Sequence, residues 1–345
     1  MNNLTLEFVP TVPKFFSRSQ AAAQEQLFSH RSERFAKLHF ECRELLQNFT
    51  GSNQFQCAIC CGNGTMGNEI ILYNYATKFN HPVVVINGEF GRRLYCQCLR
   101  ANARTTAVDL GFGQPFDPEK IAAASHDADL LLAVACETSC GMVNDISILA
   151  RENKPMLLDA VSAFGVDNTY FQYDNLLAAS GSSGKALAGA PGLALVFFRE
   201  LPDVTISIPT ILELKSLVEA WNSPGGVRNT MNSNLLGLLH AGCSEIARRG
   251  GVAAYAQGLR RLKNDLISGL ESCGTSALPR SSSPLITAFK RPADWERRLS
   301  ALEQANIKIY HQVGYLESNQ LFEIATMGDF ASEDIQRLLT AYRGE

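Results

Sequence analysis

The sequence contains little that would direct it to a membrane or a nucleic acid. Its 345 residues carry 31 Lys and Arg against 34 Asp and Glu without a block of like charge, so we expect no nucleic-acid partner. No apolar run reaches the ~18 residues that a membrane span requires, which predicts no membrane association. The N-terminus lacks the basic segment and apolar run of a signal peptide, so we expect a cytoplasmic protein.

The sequence is also poor in metal-binding patterns, although it has ten cysteines. Cys57-x-x-Cys60 and Cys96-x-Cys98 are the local pairs that resemble metal ligands, but the first pair lies in an apolar run where cysteine acts as a small hydrophobe. The histidines show no metal-binding spacing. We therefore expect no metal, and reduced thiols rather than a disulfide framework.

What the chain does have is a regular alternation of strand-like and helix-like stretches. With 46% hydrophobic and 19% charged residues it can build large cores. Several of the predicted strands are apolar throughout, as in a mostly parallel sheet covered by helices, which predicts an α/β fold. These strands are predicted at 56–60, 82–86, 105–108, 130–136, 155–159, 176–180 and 193–198.

The pattern divides the chain into three parts. Residues 1–50 are predicted to form an N-terminal arm and a helix at 33–47 that begins after Ser32. Residues 51–230 are predicted to form the large α/β domain. Residues 231–345 are predicted to form linking helices and a small C-terminal α+β domain, with strands near 285–289, 307–310 and 321–325.

Lys185 and Asp159 are the most informative residues. Lys185 lies in a loop of small residues, Ser180-Gly-Ser-Ser-Gly-Lys-Ala-Leu-Ala-Gly-Ala-Pro-Gly192, and Asp159 ends an apolar strand. A lysine amine can condense with the aldehyde of pyridoxal phosphate, and a carboxylate can keep the cofactor's pyridine nitrogen protonated. The run Cys61-Gly-Asn-Gly-Thr-Met-Gly-Asn-Glu69 lies between a strand and a helix, where backbone N–H groups could hold a phosphate.

These motifs occur in the order found in one enzyme family. The chain resembles the class V aminotransferases of fold type I, which use pyridoxal 5′-phosphate, and looks most similar to the 2-aminoethylphosphonate–pyruvate transaminases, with alanine–glyoxylate and serine–pyruvate aminotransferases further off. The resemblance covers about residues 51–342. It rests on Gly62-Asn-Gly-Thr65, Asn87-Gly-Glu-Phe-Gly-Arg92, Glu137-Thr-Ser-Cys-Gly-Met142, Asp159-Ala-Val-Ser-Ala-Phe-Gly165, the Lys185 loop, Arg228-Asn-Thr230, Ser283-Pro-Leu-Ile-Thr-Ala-Phe289 and Leu321-Phe-Glu-Ile-Ala-Thr-Met-Gly328.

The resemblance implies a role for individual residues. Lys185 and Asp159 are the implied catalytic pair, Phe90 is expected to stack on the cofactor ring, and Thr138 to lie near its phenolic oxygen. It also implies a homodimer in which Arg228 and Thr230 reach the phosphate bound by the neighbouring subunit. The implied cofactor-binding residues are Asn63, Gly64, Thr65, Phe90, Thr138, Asp159, Val161, Ser183, Lys185, Arg228 and Thr230.

The chain departs from the family where the substrate is bound. In the final strand motif, Glu323 replaces an arginine that grips the substrate's anionic group, and Tyr310-His-Gln-Val313 replaces Tyr-Pro-Gly-Lys. A carboxylate would repel an anion, so Glu323 either selects a cationic or hydroxylated substrate or pairs internally with an arginine that binds the anion instead. The candidate arginines are Arg18, Arg31 and Arg228. Gly184 also stands where relatives have Asn or Gln.

The predicted function is transfer of an amino group from a small primary amine or amino acid to an oxo acid such as pyruvate. A pyridoxal-phosphate lyase or decarboxylase on the same scaffold is an alternative, because the pocket decides which bond breaks. A catalytically inactive partner protein is another, given the lost arginine. An α/β hydrolase is disfavoured, because the chain lacks a Gly-x-Ser-x-Gly elbow.

Overall fold

A computed structural model describes residues 5–204 and 206–344 of the chain. Its strands are β1 (Leu6–Phe8), β2 (Gln56–Cys61), β3 (Pro82–Ile86), β4 (Thr106–Asp109), β5 (Leu130–Val134), β6 (Cys136–Glu137), β7 (Met142–Val143), β8 (Met156–Asp159), β9 (Leu176–Ser182), β10 (Leu193–Phe198), β11 (Ile286–Lys290), β12 (Ile307–Ile309) and β13 (Leu321–Ala325). Its helices are α1 (Ser19–Gln24), α2 (Glu33–Thr50), α3 (Gly64–Tyr75), α4 (Glu89–Ala101), α5 (Pro118–Ser125), α6 (Ser147–Arg151), α7 (Leu214–Glu219), α8 (Ser233–Arg248), α9 (Gly251–Glu271), α10 (Trp295–Gln304), α11 (Gly314–Ser318) and α12 (Ser332–Arg343).

The described residues build one large, mostly parallel sheet, as the apolar runs predict. Its strand order is β2-β10-β9-β8-β5-β3-β4, and only β10 runs antiparallel to its neighbours. The strand predicted at 130–136 ends earlier, because the chain passes Ala135 and turns into a small hairpin of β6 and β7. The α/β prediction is therefore confirmed.

Both faces of this sheet are covered, which explains why its strands are apolar throughout. Alternate residues of β3 serve opposite cores: Val83 and Val85 pack in the core with α2 and α8, while Val84 and Ile86 pack in the core with α3 and α4. This is the period-two alternation of a strand buried on both faces. The side chain of Ser32 caps α2 as predicted, accepting a hydrogen bond from the amide of Phe35.

The smaller domain gains a strand that the sequence does not signal. β1, from the N-terminal arm, pairs in parallel with β12, and Phe8 stacks on Phe330 with ring centroids 4.6 Å apart. β11 and β13 pair antiparallel, and α9, α10 and α12 pack around a shared core. The arm predicted as a separate N-terminal part is thus tied to the C-terminal α+β unit by its first strand. The boundaries at residues 50 and 230 stay predictions.

The functional side chains collect at one edge of the large sheet. Asp159 is the last residue of β8, and the loop that carries Lys185 follows β9. The turn into α3 follows β2, which runs in the same direction as β9 because β10 is antiparallel to both strands. Ligands of open α/β sheets bind outside the carboxyl ends of the strands.

Candidate active site

A cavity of about 750 Å³ opens at this edge of the sheet, and Lys185 and Asp159 both line it. The two residues predicted to act together are therefore brought together. Its wall also includes Asn63, Gly64 and Thr65 from the glycine-rich turn. Three motifs that are far apart in the sequence thus share one site.

Asp159 is held rigidly before any ligand binds. It is buried, Asn68 Nδ2 donates to its Oδ2 at 2.7 Å, and the amide of Val161 donates to Oδ1 at 3.0 Å. Asn68 is fixed in turn, because its Oδ1 accepts a hydrogen bond from Ser180 Oγ at 2.6 Å. Burial raises the pKa of Asp159, while Asn68, the Val161 amide and Lys185 oppose this shift. A cation placed against the carboxyl would further favour its charged form.

Lys185 lies against the N-terminal arm and has a lowered pKa. Its Nζ donates to the carbonyl oxygen of Pro10 at 2.8 Å, so the N-terminal arm covers the lysine. Burial lowers the pKa of Lys185, whereas Glu323, Cys136 and Asp159 raise it. A lowered pKa increases the fraction of neutral, nucleophilic amine at physiological pH.

The glycine-rich turn presents a helix N-terminus to the cavity. Asn63 caps α3, its side chain accepting a hydrogen bond from the amide of Met66 at 3.2 Å. Gly64 must lack a side chain, because a Cβ there would lie 2.4 Å from Cγ2 of Val161. The remaining free N–H groups and the helix dipole attract an anion such as a phosphate.

The same turn has the Gly-x-Gly-x-x-Gly spacing of dinucleotide-binding folds, from Gly62 to Gly67. In those folds the turn joins two parallel strands through a helix. Here β2 lies at the edge of the sheet and pairs only with the antiparallel β10. The topology of the described residues therefore does not build a dinucleotide site around this turn.

Phe90 and Thr138 occupy different surroundings. Phe90 lines the cavity at the start of α4, with the guanidinium of Arg93 4.9 Å from its ring centroid. Thr138 is buried in the turn after β6 and is not among the lining residues. Glu137 beside it accepts hydrogen bonds from the amides of Phe90 and Gly91 and thereby fixes the start of α4. The roles of Phe90 and Thr138 toward a cofactor stay predictions.

Two of the predicted site residues do not line the cavity. Ser183 Oγ donates to the carbonyl of Ala190 at 2.6 Å, so it braces the lysine loop, and the neighbouring Ser182 lines the cavity instead. Arg18 is exposed at the start of α1 and does not line the cavity. Their roles toward cofactor and substrate stay predictions. The glycine at position 184, where relatives have Asn or Gln, has a local structural reason. A Cβ on Gly184 would approach Pro191 Cα to 2.8 Å.

Arg228 and Thr230 lie outside the main cavity of their own chain. They line a second cavity of about 330 Å³ together with Cys61 and Met66, which border the glycine-rich turn. The guanidinium of Arg228 donates to the carbonyl of Thr210 and contacts Glu213 at 3.3 Å. A role of this pair in the site stays a prediction.

Glu323 is fully buried, yet the protein does not satisfy its carboxyl group. Among residues 5–204 and 206–344, no group forms a hydrogen bond of normal geometry with either oxygen, although the Tyr315 hydroxyl lies close enough to lower the pKa. Burial and Glu137 outweigh Lys185 and Tyr315, so the pKa of Glu323 rises to about 8. The predicted internal arginine partner is wrong for Arg31 and Arg228, because their guanidinium groups bind backbone carbonyls and Glu213.

Several residues of the site were not predicted from the sequence. Asn68 lies in the glycine-rich motif, and its position one turn after Gly64 on α3 was the available signal. Arg93 lines the cavity one turn after Phe90. The carbonyl of Pro10 reaches Lys185 across 175 residues of chain, and no local pattern signals such a contact.

Metal binding finds no support in the described residues. They contain no group of three or more His, Cys, Asp and Glu side chains arranged to hold a metal ion. All ten cysteines are free thiols, and those of β2 lie in the sheet as the apolar run predicts. None of the helices formed by the described residues combines the length and hydrophobicity needed to cross a bilayer.

The cavity fits pyridoxal 5′-phosphate on the evidence of its own residues. The cofactor has an aldehyde, a ring nitrogen that is protonated when it accepts electrons, and a phosphate dianion. Lys185 supplies the amine, Asp159 a preorganised carboxyl, and the start of α3 free backbone N–H groups beside Gly64, where a Cβ would clash with Val161.

Comparison with known proteins agrees with this assignment. The family model described as Aminotransferase class-V matches residues 4–314. The 2-aminoethylphosphonate–pyruvate transaminase of Pseudomonas putida is 28% identical over 272 residues, covering 73% of this chain and 72% of that protein. The enzyme of that name from Salmonella gallinarum is 27% identical over 321 residues, covering 87% of this chain and 86% of that protein.

Solved structures share the fold at lower identity. The subgroup IV aspartate aminotransferase of Thermus thermophilus has a TM-score of 0.86 and 22% identity, covering 98% of both chains. The ureidoglycine–glyoxylate aminotransferase of Bacillus subtilis has a TM-score of 0.87 and 20% identity, covering 98% of this chain and 92% of that one. These likenesses show the fold.

Proposed function

The chain belongs to the class V aminotransferase family, and on that premise we propose that it moves the amino group of a small primary amine or amino acid to an oxo acid such as pyruvate. The cofactor is pyridoxal 5′-phosphate. The observation that carries the proposal is the joint placement of Lys185, the braced Asp159 carboxyl and the start of α3 around one cavity. When bound, the cofactor acts as the electron sink for the bond broken at the substrate Cα.

The protein's own residues provide positioning and proton transfer. Asp159 would bind the ring nitrogen, Asn68 and the Val161 amide orient Asp159, and the turn at Asn63 to Thr65 would hold the phosphate. Lys185 Nζ would take up and hold the proton released from the substrate Cα, as a base with a lowered pKa can do near neutral pH. The arm at Pro10 limits the access of water to the lysine.

The carboxylate of the oxo acid also needs a cation in the cavity, and we assign Arg93 to it. Arg93 lines the cavity over Phe90 and is close enough to Lys185 to lower its pKa. Its Nε contacts Glu89 at 3.2 Å, which leaves donors of the guanidinium for a ligand. Neighbouring Arg92 is engaged with Asp109 at 2.6 Å.

Steady-state kinetics with a panel of amines and oxo acids test the reaction type. A transaminase consumes amine and oxo acid in equal amounts and gives parallel double-reciprocal lines, because the two half-reactions are separated. Turnover without an oxo acid, with release of ammonia or carbon dioxide, would instead establish the lyase alternative. Tight cofactor binding without any turnover would favour an inactive partner protein.

We also propose a cytoplasmic homodimer whose sites are shared. Support comes from the second cavity, in which Arg228 and Thr230 lie against the outer side of the glycine-rich turn, and from Ile211, which is 52% exposed at its edge. Mixing the separately inactive Lys185→Ala and Arg228→Ala proteins should restore activity, since a hybrid dimer would regain one complete site. No recovery after verified subunit exchange would contradict the shared site.

A further inference from the structure

The middle of β13 places a buried carboxyl group that has no hydrogen bond of normal geometry among the described residues and only the Tyr315 hydroxyl close by. Glu323 is fixed by its backbone, which exchanges hydrogen bonds with Tyr310 at 2.7 and 3.0 Å. Its side chain is completely buried, and neither oxygen has a hydrogen-bond partner of normal geometry among the described residues. Buried polar groups are nearly always paired, so an orphaned carboxyl requires a ligand or another explanation.

The other buried acids of the site show that the fold can satisfy a carboxyl group. Asp159 receives hydrogen bonds from Asn68 and the Val161 amide. Glu137 receives them from the amides of Phe90, Gly91 and Ser139 and from the Ser139 hydroxyl. Glu323 is the exception among these three groups.

Glu323 faces the site rather than a remote part of the core. It is the largest electrostatic influence on the pKa of Lys185, which lines the main cavity. Tyr315, whose hydroxyl interacts with Glu323, packs its ring edge-on against Phe90 with centroids 6.5 Å apart, and Phe90 lines the same cavity. Glu323 thus lies near Lys185 and beside Tyr315, whose ring packs against a residue that lines the cavity.

The chemistry of two orphaned acceptor oxygens defines the group that would fit them. A phosphonate or carboxylate brings negative charge and only acceptors, so it would leave both oxygens unpaired and repel them. A hydroxyl brings one donor. An ammonium group brings three donors and a positive charge that favours ionisation of the carboxyl.

We propose that Glu323 selects amine substrates whose far end carries a second ammonium group, that is, terminal diamines. The proposal rests on the proposed function, because it assigns the substrate class of the same site. It removes the 2-aminoethylphosphonate of the similar enzymes as the preferred amine. Opening of the Tyr315 side chain would admit the ammonium group to Glu323.

Binding to the protein loaded with pyridoxamine 5′-phosphate tests this without turnover, because that form of the cofactor does not react with amines. Calorimetry would compare putrescine with pentylamine, which has the same length but no second charge. We expect putrescine to bind roughly 10–100-fold more tightly, as one charge-assisted interaction provides. Because the ammonium group drives ionisation of Glu323, putrescine binding at neutral pH should also release a proton, measured from its dependence on buffer ionisation enthalpy.

Glu323→Gln should abolish both the preference for putrescine and the proton release. The matched control is Glu317→Gln, which changes an exposed glutamate on α11 and should preserve both. Equal affinity of the two amines, or a preference that survives in Glu323→Gln, would overturn the proposal. If no amine or oxo acid ever interconverts the two cofactor forms, the proposed function fails, while the calorimetric comparison still decides the role of Glu323.

Discussion

Asp159 and Glu323 are both buried carboxyl groups beside Lys185, but the protein completes the surroundings of only one. Asp159, on the large sheet, holds two hydrogen bonds and is supported by the Ser180–Asn68 pair. Glu323, on the small domain, has its backbone fixed, but among the described residues its oxygens receive no hydrogen bond of normal geometry. The large domain is therefore preorganised for a group that stays bound, whereas the small domain leaves donors to be supplied by a group that comes and goes.

The two carboxyl groups also differ in how far their surroundings favour the ionised form. Hydrogen bonds to Asp159 oppose the rise of its pKa, so its charged form is partly prepared. For Glu323, Lys185 and Tyr315 oppose the shift but do not outweigh burial, which raises its pKa to about 8. A buried acid without hydrogen-bond donors lowers the stability of the folded protein but can bind a ligand that supplies them, and such compromises are common at functional positions.

The largest effect is expected from Lys185→Ala, which removes the amine that interacts with both the Asp159 and the Glu323 carboxyl groups. Turnover should fall by roughly 10⁴-fold, because the base that moves the Cα proton is lost. The control is Lys263→Met, since Lys263 is also a buried lysine with a pKa lowered to about 8, but its Nζ donates to the carbonyls of Ser281 and Ser283. Lys263→Met should reduce thermal stability and keep covalent cofactor binding; equal activity loss in both would contradict a special role for Lys185.

Asp159→Asn should give the next largest effect. The shape is kept but the charge opposite the ring nitrogen is lost, and removing one such electrostatic contact costs roughly 10²–10³-fold in turnover. Single-turnover rates with amine measure this directly. Asp174→Asn is the matched control, because that side chain is 96% exposed. An Asp159→Asn enzyme with the parental rate would contradict the assigned role.

Glu323→Gln should stabilise the protein at alkaline pH. The carboxyl of the unfolded chain ionises near the ordinary glutamate pKa of 4.5, whereas the folded one keeps its proton up to about pH 8. The resulting destabilisation is absent well below the lower value, grows between the two values and is constant above about pH 8. Glutamine removes this pH dependence because it does not titrate.

Denaturant unfolding at about pH 5 and about pH 8, with equal cofactor saturation, measures this effect. The stability advantage of Glu323→Gln should increase between the two pH values by on the order of 3 kcal/mol. A constant difference would mean that Glu323 has no raised pKa in the folded protein. In that case the contrast between the unsatisfied carboxyl of Glu323 and the hydrogen-bonded carboxyl of Asp159 would not hold.

The smallest effect is expected from Asn68→Ala, which removes one support of Asp159. Losing a hydrogen bond to a charged group should lower turnover roughly tenfold, well short of the Asp159→Asn effect. The comparison is made by measuring kcat for both variants with the same amine. A larger loss for Asn68→Ala than for Asp159→Asn would show that Asn68 contacts the ligand itself.

The sequence predicts most of the large domain because its signals are local. Apolar runs mark β3, β8 and β10 almost to the residue, and Asp159 and Lys185 follow strands where cofactor chemistry is expected. Arg228 and Thr230 both line the second cavity, which agrees with their closeness in one short motif.

Long-range contacts are what the sequence does not predict. β1 joins the C-terminal unit through pairing with β12, and Pro10 reaches Lys185, without any local pattern for either contact. Ser183 has the residue type expected of a phosphate ligand, but the geometry of its loop turns the hydroxyl toward Ala190. The missing arginine partner of Glu323 could likewise be recognised only in three dimensions.

The most direct test of the site as a whole is the absorption spectrum of the purified protein with pyridoxal 5′-phosphate, followed during addition of an amine and then of pyruvate. We predict a visible band of the lysine-bound cofactor that the amine removes, that pyruvate restores, and that Lys185→Ala lacks. Absence of this band in the wild-type protein at saturating cofactor, or its persistence in Lys185→Ala, would contradict the assignment of Lys185 and Asp159 as one pyridoxal-phosphate site.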